Sequence, residues 1–249
     1  MNYGICPLSI VPMRLDPADS SEMVNQLLYG EFFKVLETRK KWSLIRLVHD
    51  NYEGWIDNKQ YRSISSEDYE TCFKSTDLLA ADLIQIVDSQ DQRMLYIPMG
   101  ATVSTLEITG DTYQGESIGS KREKTNFLNT ALLYLKCPYL WGGRTPFGLD
   151  CSGFTQMVYR LNGHLLLRDA SQQAEQGEAL SFIEESEPGD LAFFDNAEGH
   201  ITHVGIIMPD NHIIHCHGEV RIDRLDHNGI YNAERRIHTH NLRVIKSIV

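Results

Sequence analysis

The chain has 249 residues, 42% hydrophobic and 23% charged, enough for one large domain or two to three small ones. That balance is ordinary for a globular protein. A formal net charge of −11 argues against a nucleic-acid groove or an anionic membrane surface as partner, because both call for a basic face.

The amino terminus has no basic region ahead of an apolar stretch, and Pro7 and Pro12 interrupt it. No secretory signal is therefore visible, and a cytoplasmic location is expected, or a periplasmic or secreted one if a leader was removed from a longer precursor. No run approaches the roughly 18 apolar residues of a membrane span. Five scattered cysteines, odd in number and without a Cys-x-x-Cys pair, argue against a disulfide framework and for a reducing compartment.

Residues 1 to about 120 read as short strands with turns. Phe32–Glu37 is followed by Lys41–Val48, in which Trp42, Leu44, Arg46 and Val48 share one face and Ser43, Ile45 and Leu47 the other. Asp50-Asn51 turns the chain into Glu53–Asp57, and such a meander suits a small β-barrel. A weaker second copy follows: Leu83–Asp88, Met94–Ala101 and Val103–Ile108. Gly115–Lys124 is polar and reads as a linker. The expected boundaries are 1–66 and 67–120 for two small barrel modules and 121–249 for an α+β domain.

In that last part Thr125 can cap a helix to about Lys136, with Phe127, Leu128, Ala131, Leu132 and Leu135 as its buried stripe and Pro138 ending it. A second helix starts near Cys151 and stops at Gly163, and Asp169 with Gln172 begins a short third. From Asp190 onward strands are expected at 191–194, 203–208, 212–217 and 220–225.

Asp150-Cys151-Ser152-Gly153 puts a cysteine at a helix start, where unpaired N–H groups and the macrodipole favour a thiolate. His203 opens a strand some fifty residues later. If Pro209-Asp210-Asn211 turns the hairpin, residues whose numbers sum to about 418–420 face each other. That sets His203 against His215 or His217 on one sheet face. A sulfur nucleophile, an imidazole base and a second polar group to orient the base are what a cysteine hydrolase needs. Zinc is the rival reading of His200, His203, His215, Cys216 and His217. Strand alternation turns Cys216 away from its neighbours, so no metal or organic cofactor is expected.

Several strings carry a resemblance: Pro138–Gly143, Leu149–Phe154, Arg168–Gln173, Pro188–Leu191, His203–Ile206 and Ile214-His215. In this order over about half the chain they resemble the NlpC/P60 family of papain-like cysteine peptidases, which cut bonds to γ-D-glutamyl residues in bacterial cell-wall peptides. Residues 1–120, chiefly through Ser21–Val24 and Tyr52–Trp55, resemble the paired SH3-like modules of γ-D-glutamyl-L-diamino acid endopeptidases. The resemblance implies that Cys151 is the nucleophile, His203 the base and His215, rather than His217, the third residue. It implies oxyanion or substrate contacts from Tyr139, Trp141, Asp150, Ser152, Asp169 and Ala170, the last standing where relatives often carry a hydroxyl. It further implies that the first module, through Glu22 and Tyr52, reads the free amine of L-Ala. The expected partners are murein peptides of the type L-Ala-γ-D-Glu-diamino acid. The alternatives are a non-catalytic murein-binding protein and a papain-like amidase or transferase; the oligomeric state is left open.

Overall fold

In the first unit, alternating burial makes a sheet. The computed structural model describes residues 2–91 and 93–249. They divide into one unit of Met1–Ser120 with Trp141–Pro146, and a second of Lys121–Leu140 with Phe147–Val249. In Trp42–Leu47 every second residue (Ser43, Ile45, Leu47) is buried, as the period-2 pattern requires. Seven antiparallel strands lie in the order Met23–Leu28, Ile10–Arg14, Glu53–Asp57, Trp42–Leu47, Phe32–Thr38, Asn2–Ile5, Arg62–Ile64. Their inward residues, including Val11, Met13, Leu27, Phe33, Ile45 and Ile56, form one core. Asn51 takes a positive φ of 59° at the expected turn, where the Tyr52 N–H donates to Asp50 Oδ1 at 2.9 Å.

Two parts of this unit depart from the all-strand expectation. Ser66–Lys74 is a helix, closed at its start by reciprocal bonds between Ser65 and Asp68. Leu106–Thr109, expected as part of a strand, is a helical turn ended by Gly110 at φ +74°. The remaining strands are short: Ile84–Asp88 lies between Met94–Pro98 and Thr112–Tyr113. Ser117–Ile118, inside the expected linker, pairs with Leu79–Ala80.

The second unit begins with helix α1, Asn126–Leu133, which is shorter than expected, and Thr125 makes no side-chain capping bond to it. Its buried side is Phe127, Thr130 and Ala131, with Tyr134 just beyond; Leu132 and Leu135 are exposed. Helix α2, Cys151–Leu161, is buried along its whole length, so its polar residues need internal partners. Thr155 Oγ1 donates to Gln173 Oε1 at 2.7 Å and Gln156 Nε2 to the Leu166 carbonyl at 3.1 Å. Helix α3 is the expected short turn, Ala170–Gln173, where Gln172 Oε1 accepts the Asp169 N–H at 3.0 Å.

After a short edge strand, Glu178–Leu180, which pairs with the last strand of the sheet, come six more: β1 Leu191–Asp195, β2 Ile201–Met208, β3 His212–His217, β4 Glu219–Asp226, β5 Gly229–Asn232 and β6 Ile237–Ser247. Each of the six labelled strands pairs antiparallel with the next, and β6 also pairs with β1, so they close into a barrel. Closure was not expected from the sequence, which offered an open sheet ending near residue 225. It depends on Gly229, whose φ of +134° lets the backbone come so close to His240 that a Cβ there would stand 1.8 Å from the His240 carbonyl oxygen.

Candidate active site

At the start of α2, Asp150 is the N-cap: its Oδ1 accepts the Gly153 N–H at 2.7 Å. The same carboxylate is gripped on both oxygens by Arg168, Nη1 to Oδ1 at 2.9 Å and Nη2 to Oδ2 at 2.7 Å. Arg168 Nη1 also donates to Ser152 Oγ at 3.0 Å, and all three side chains are buried. Asp150 and Ser152 are thus bound into the frame that fixes the Cys151 backbone. Arg168 joins them from the residue before the α3 cap.

Cys151 is 6% exposed, and its Sγ makes a weak 4.0 Å contact with the Thr202 carbonyl. Burial, followed by the negative charge of Asp150, pushes the thiol up to about 12; the Val204 N–H, Arg168 and the Ser152 N–H pull it down without compensating. Burial thus works against the thiolate that the helix start favours. Desolvation is the largest influence on the sulfur, and it favours the neutral thiol.

The hairpin register is Gly205↔His215, Ile206↔Ile214, Ile207↔Ile213 and Met208↔His212, a constant sum of 420. His203 is consequently diagonal to His215, and His203 Nε2 lies 2.8 Å from His215 Nδ1. Gly205 makes this possible, since a Cβ there would sit 2.8 Å from the His215 Cβ. His217, the other residue the register allowed, is exposed, with its ring 6.4 Å from that of His203. The hydrogen bond to His203 is made by His215.

Three neighbours went unread in the sequence. His215 Nε2 lies 3.0 Å from Asp223 Oδ2, and Arg221 donates to both Asp223 oxygens, Nε at 2.6 Å and Nη2 at 3.0 Å. His240, on β6, stacks on His203 at 4.2 Å between ring centroids and 24° between planes. The alternation of β4, once aligned as His215↔Arg221, is the signal that would have found the Arg221–Asp223 pair. His240 carried none, because it sits on a strand that closes the barrel from the far end of the chain.

Burial, and then the neighbouring His215, His240 and His217, holds His203 well below the usual imidazole range. Burial also lowers His215 and takes His240 down to about 4. Asp223 is raised by burial but more strongly lowered by the hydrogen bonds from His215 and Arg221, and it ionises at about 2. Burial thus favours a neutral thiol and neutral imidazoles, while its hydrogen bonds favour an ionised Asp223.

Tyr139 is 38% exposed, and its N–H donates to the Gly218 carbonyl at 2.9 Å. Burial of its phenol, with the charges of Cys151 and Asp150 next, keeps it protonated and so able to donate. Asp169 caps α3, and Ala170 is buried behind it. Trp141, Glu22 and Tyr52 belong to the first unit. There Trp141 Nε1 donates to Glu22 Oε1 at 2.6 Å, while Tyr52 packs against the barrel core. Among the described residues no group of three or more His, Cys, Asp or Glu is arranged to hold a metal ion.

Residues 136–239 match the NlpC/P60 family, and residues 13–60 match the bacterial dipeptidyl-peptidase SH3 domain. A γ-D-glutamyl-L-lysine dipeptidyl-peptidase of Bacillus cereus is 25% identical over 79% of this chain and 68% of its own length. Dipeptidyl-peptidase 6 of Lysinibacillus sphaericus is 25% identical over 85% of this chain and 87% of its own. The crystal structure of an NlpC/P60 family protein from Bacillus cereus has the same fold, with a TM-score of 0.78 at 19% identity over 99% of both chains. With Cys151 at its helix start, residues 136–239 form a domain of the NlpC/P60 family, and an SH3 domain of the bacterial dipeptidyl-peptidase type precedes it.

Proposed function

We propose that this protein is a cysteine peptidase that hydrolyses the γ-D-Glu–diamino acid bond of cell-wall peptides. The observation that carries the reading is the hydrogen-bonded row His203–His215–Asp223, which runs across β2, β3 and β4 and starts on the strand whose Thr202 carbonyl meets the Cys151 sulfur. In this reading Cys151 Sγ attacks the γ-carbonyl carbon as its proton passes to His203. The thioester forms, His203 returns the proton to the departing amine of the diamino acid, and the acyl group is released by water that His203 activates. Tyr139 and the Cys151 N–H are the proposed donors to the tetrahedral oxyanion; one such donor is worth about 10²–10³ in rate. A neutral thiol–imidazole resting state makes proton transfer part of the attack.

The relatives' names support peptides with a γ-D-glutamyl residue as the substrate class. The finer proposal is that the substrate carries a free N-terminal L-Ala, whose ammonium is met by Glu22 and Tyr52 of the SH3 domain. Glu22 is exposed, and its carboxylate, held by the Trp141 indole N–H, is the kind of charged acceptor an ammonium requires. The rival is a wall-binding protein without activity, against which the retained Cys151–His203–His215 set speaks. The test is mass spectrometry of L-Ala-γ-D-Glu-diaminopimelate and its N-acetylated form incubated with wild type, Cys151→Ala and Glu22→Gln. Cleavage of the free-amine peptide alone, lost in Cys151→Ala and weakened in Glu22→Gln, is expected. Equal rates on both peptides would sink the free-amine proposal, and cleavage by Cys151→Ala would sink the thiol mechanism.

A further inference from the structure

Each hydrogen bond in the histidine row needs one donor and one acceptor, and the row can be solved from its charged end. Arg221 spends two N–H groups on the Asp223 carboxylate, so both carboxylate oxygens accept. His215 Nε2, 3.0 Å from Oδ2, must then carry the proton. A neutral imidazole has one N–H, so His215 Nδ1 is a lone pair. Its 2.8 Å partner, His203 Nε2, must donate. His203 Nδ1 is thereby left unprotonated, the state a base needs. The Cys151 sulfur meets the same strand on either side of His203, at the Thr202 carbonyl and the Val204 N–H.

We propose that Asp223 is a positioning residue that fixes both imidazole tautomers through His215 and so keeps His203 Nδ1 ready to take the Cys151 proton. This rests on reading Cys151 and His203 as nucleophile and base. Arg221 is its complement: its two N–H groups keep both oxygens accepting and tie the carboxylate in place. Without the carboxylate, His215 is free to carry its proton on Nδ1 and donate to His203 Nε2. The His203 proton then moves to Nδ1 and faces the thiol, where it blocks the transfer. His240 lies over the face of His203 and turns its own Nδ1 to Thr239 Oγ1 at 2.9 Å, so it does not compete for this order.

The test pairs nitrogen-15 NMR of the resting imidazoles with steady-state kinetics on the muropeptide. In wild type the proton is expected on Nε2 of both His203 and His215. In Asp223→Ala the His215 proton is expected to distribute over both nitrogens. The kcat should fall between about 10²- and 10⁴-fold with KM within about threefold, as for the loss of a tautomer-fixing carboxylate in other triads. Asp223→Asn, nearly isosteric, serves if the alanine variant unfolds, and it should lose rate while circular dichroism shows it folded at the assay temperature, even with a lower melting midpoint from the weakened Arg221 pair. A wild-type spectrum with the proton on His215 Nδ1, or a wild-type kcat in Asp223→Ala, would overturn the proposal. Wild type that cleaves no muropeptide would overturn the proposed peptidase instead, and the spectrum would still decide the tautomer order.

Discussion

A helix start normally lowers a thiol, yet Cys151 is so thoroughly desolvated that burial wins. Alkylation by iodoacetamide should therefore accelerate about tenfold per pH unit between pH 7 and 9, following the thiolate fraction, with no plateau. Peptide mapping must follow each labelled site, because Cys137 is more exposed than Cys151 and will react by accessibility alone. A plateau for Cys151 below pH 7 would instead reveal an ion pair with His203. The second residue-scale case is Arg168, whose two bonds neutralise a buried carboxylate. Arg168→Met should destabilise the domain by about 3–5 kcal/mol, read by urea unfolding, because it strands Asp150 without its partner. A loss under about 1 kcal/mol would mean that water replaces the guanidinium.

Elements decide which of these residues meet. The β2–β3 hairpin fixes His215 against Gly205, and only glycine leaves the room for His215 to reach diagonally to His203. Gly205→Ala places a methyl 2.8 Å from both the His215 Cβ and Ile213 Cδ1. Displacement of His215 by about 1 Å should cost on the order of 10² in kcat while circular dichroism stays unchanged. Wild-type turnover would show that the hairpin can spread without moving the imidazole. This contact was half legible: a Pro209–Asn211 turn and period-2 alternation gave the sheet face, but two registers remained open and a one-residue slip separates two different third residues. The capping boxes were equally local, yet Ser65–Asp68 escaped notice because its helix carries few apolar residues.

At the scale of the whole molecule, the catalytic unit gathers four imidazoles, of which His203 and His215 are buried and His240 half-buried. All three have folded-state pKa values below 6.5, the value expected of the unfolded chain. The unfolded chain thus binds more protons below that pH. The stability they allow is fully present above about pH 6.5 and falls as the pH drops toward their folded values. Asp223, lowered to about 2, contributes stability above the carboxylate range and stays silent in this window. The thermal midpoint should fall steadily from pH 7 to pH 5, and His240→Phe should flatten that slope. A midpoint constant over this range would contradict the desolvation argument.

By itself the sequence determined what is local. It marked the helix start at Cys151, the strand bearing His203, the SH3 meander and the family strings, because caps, turns and alternation act over a few neighbouring residues. Tertiary structure alone decided the rest. The barrel closes through Ile237–Ser247, a strand whose apolar pattern is too weak to read, and that closure carries His240 onto His203. Asp223 and Arg221 look like ordinary strand charges until the β3–β4 register sets them behind His215. The ionisation of Cys151 could not be read locally either. A helix terminus is visible in sequence, but the loss of solvent that overrides it is a property of everything packed around the sulfur.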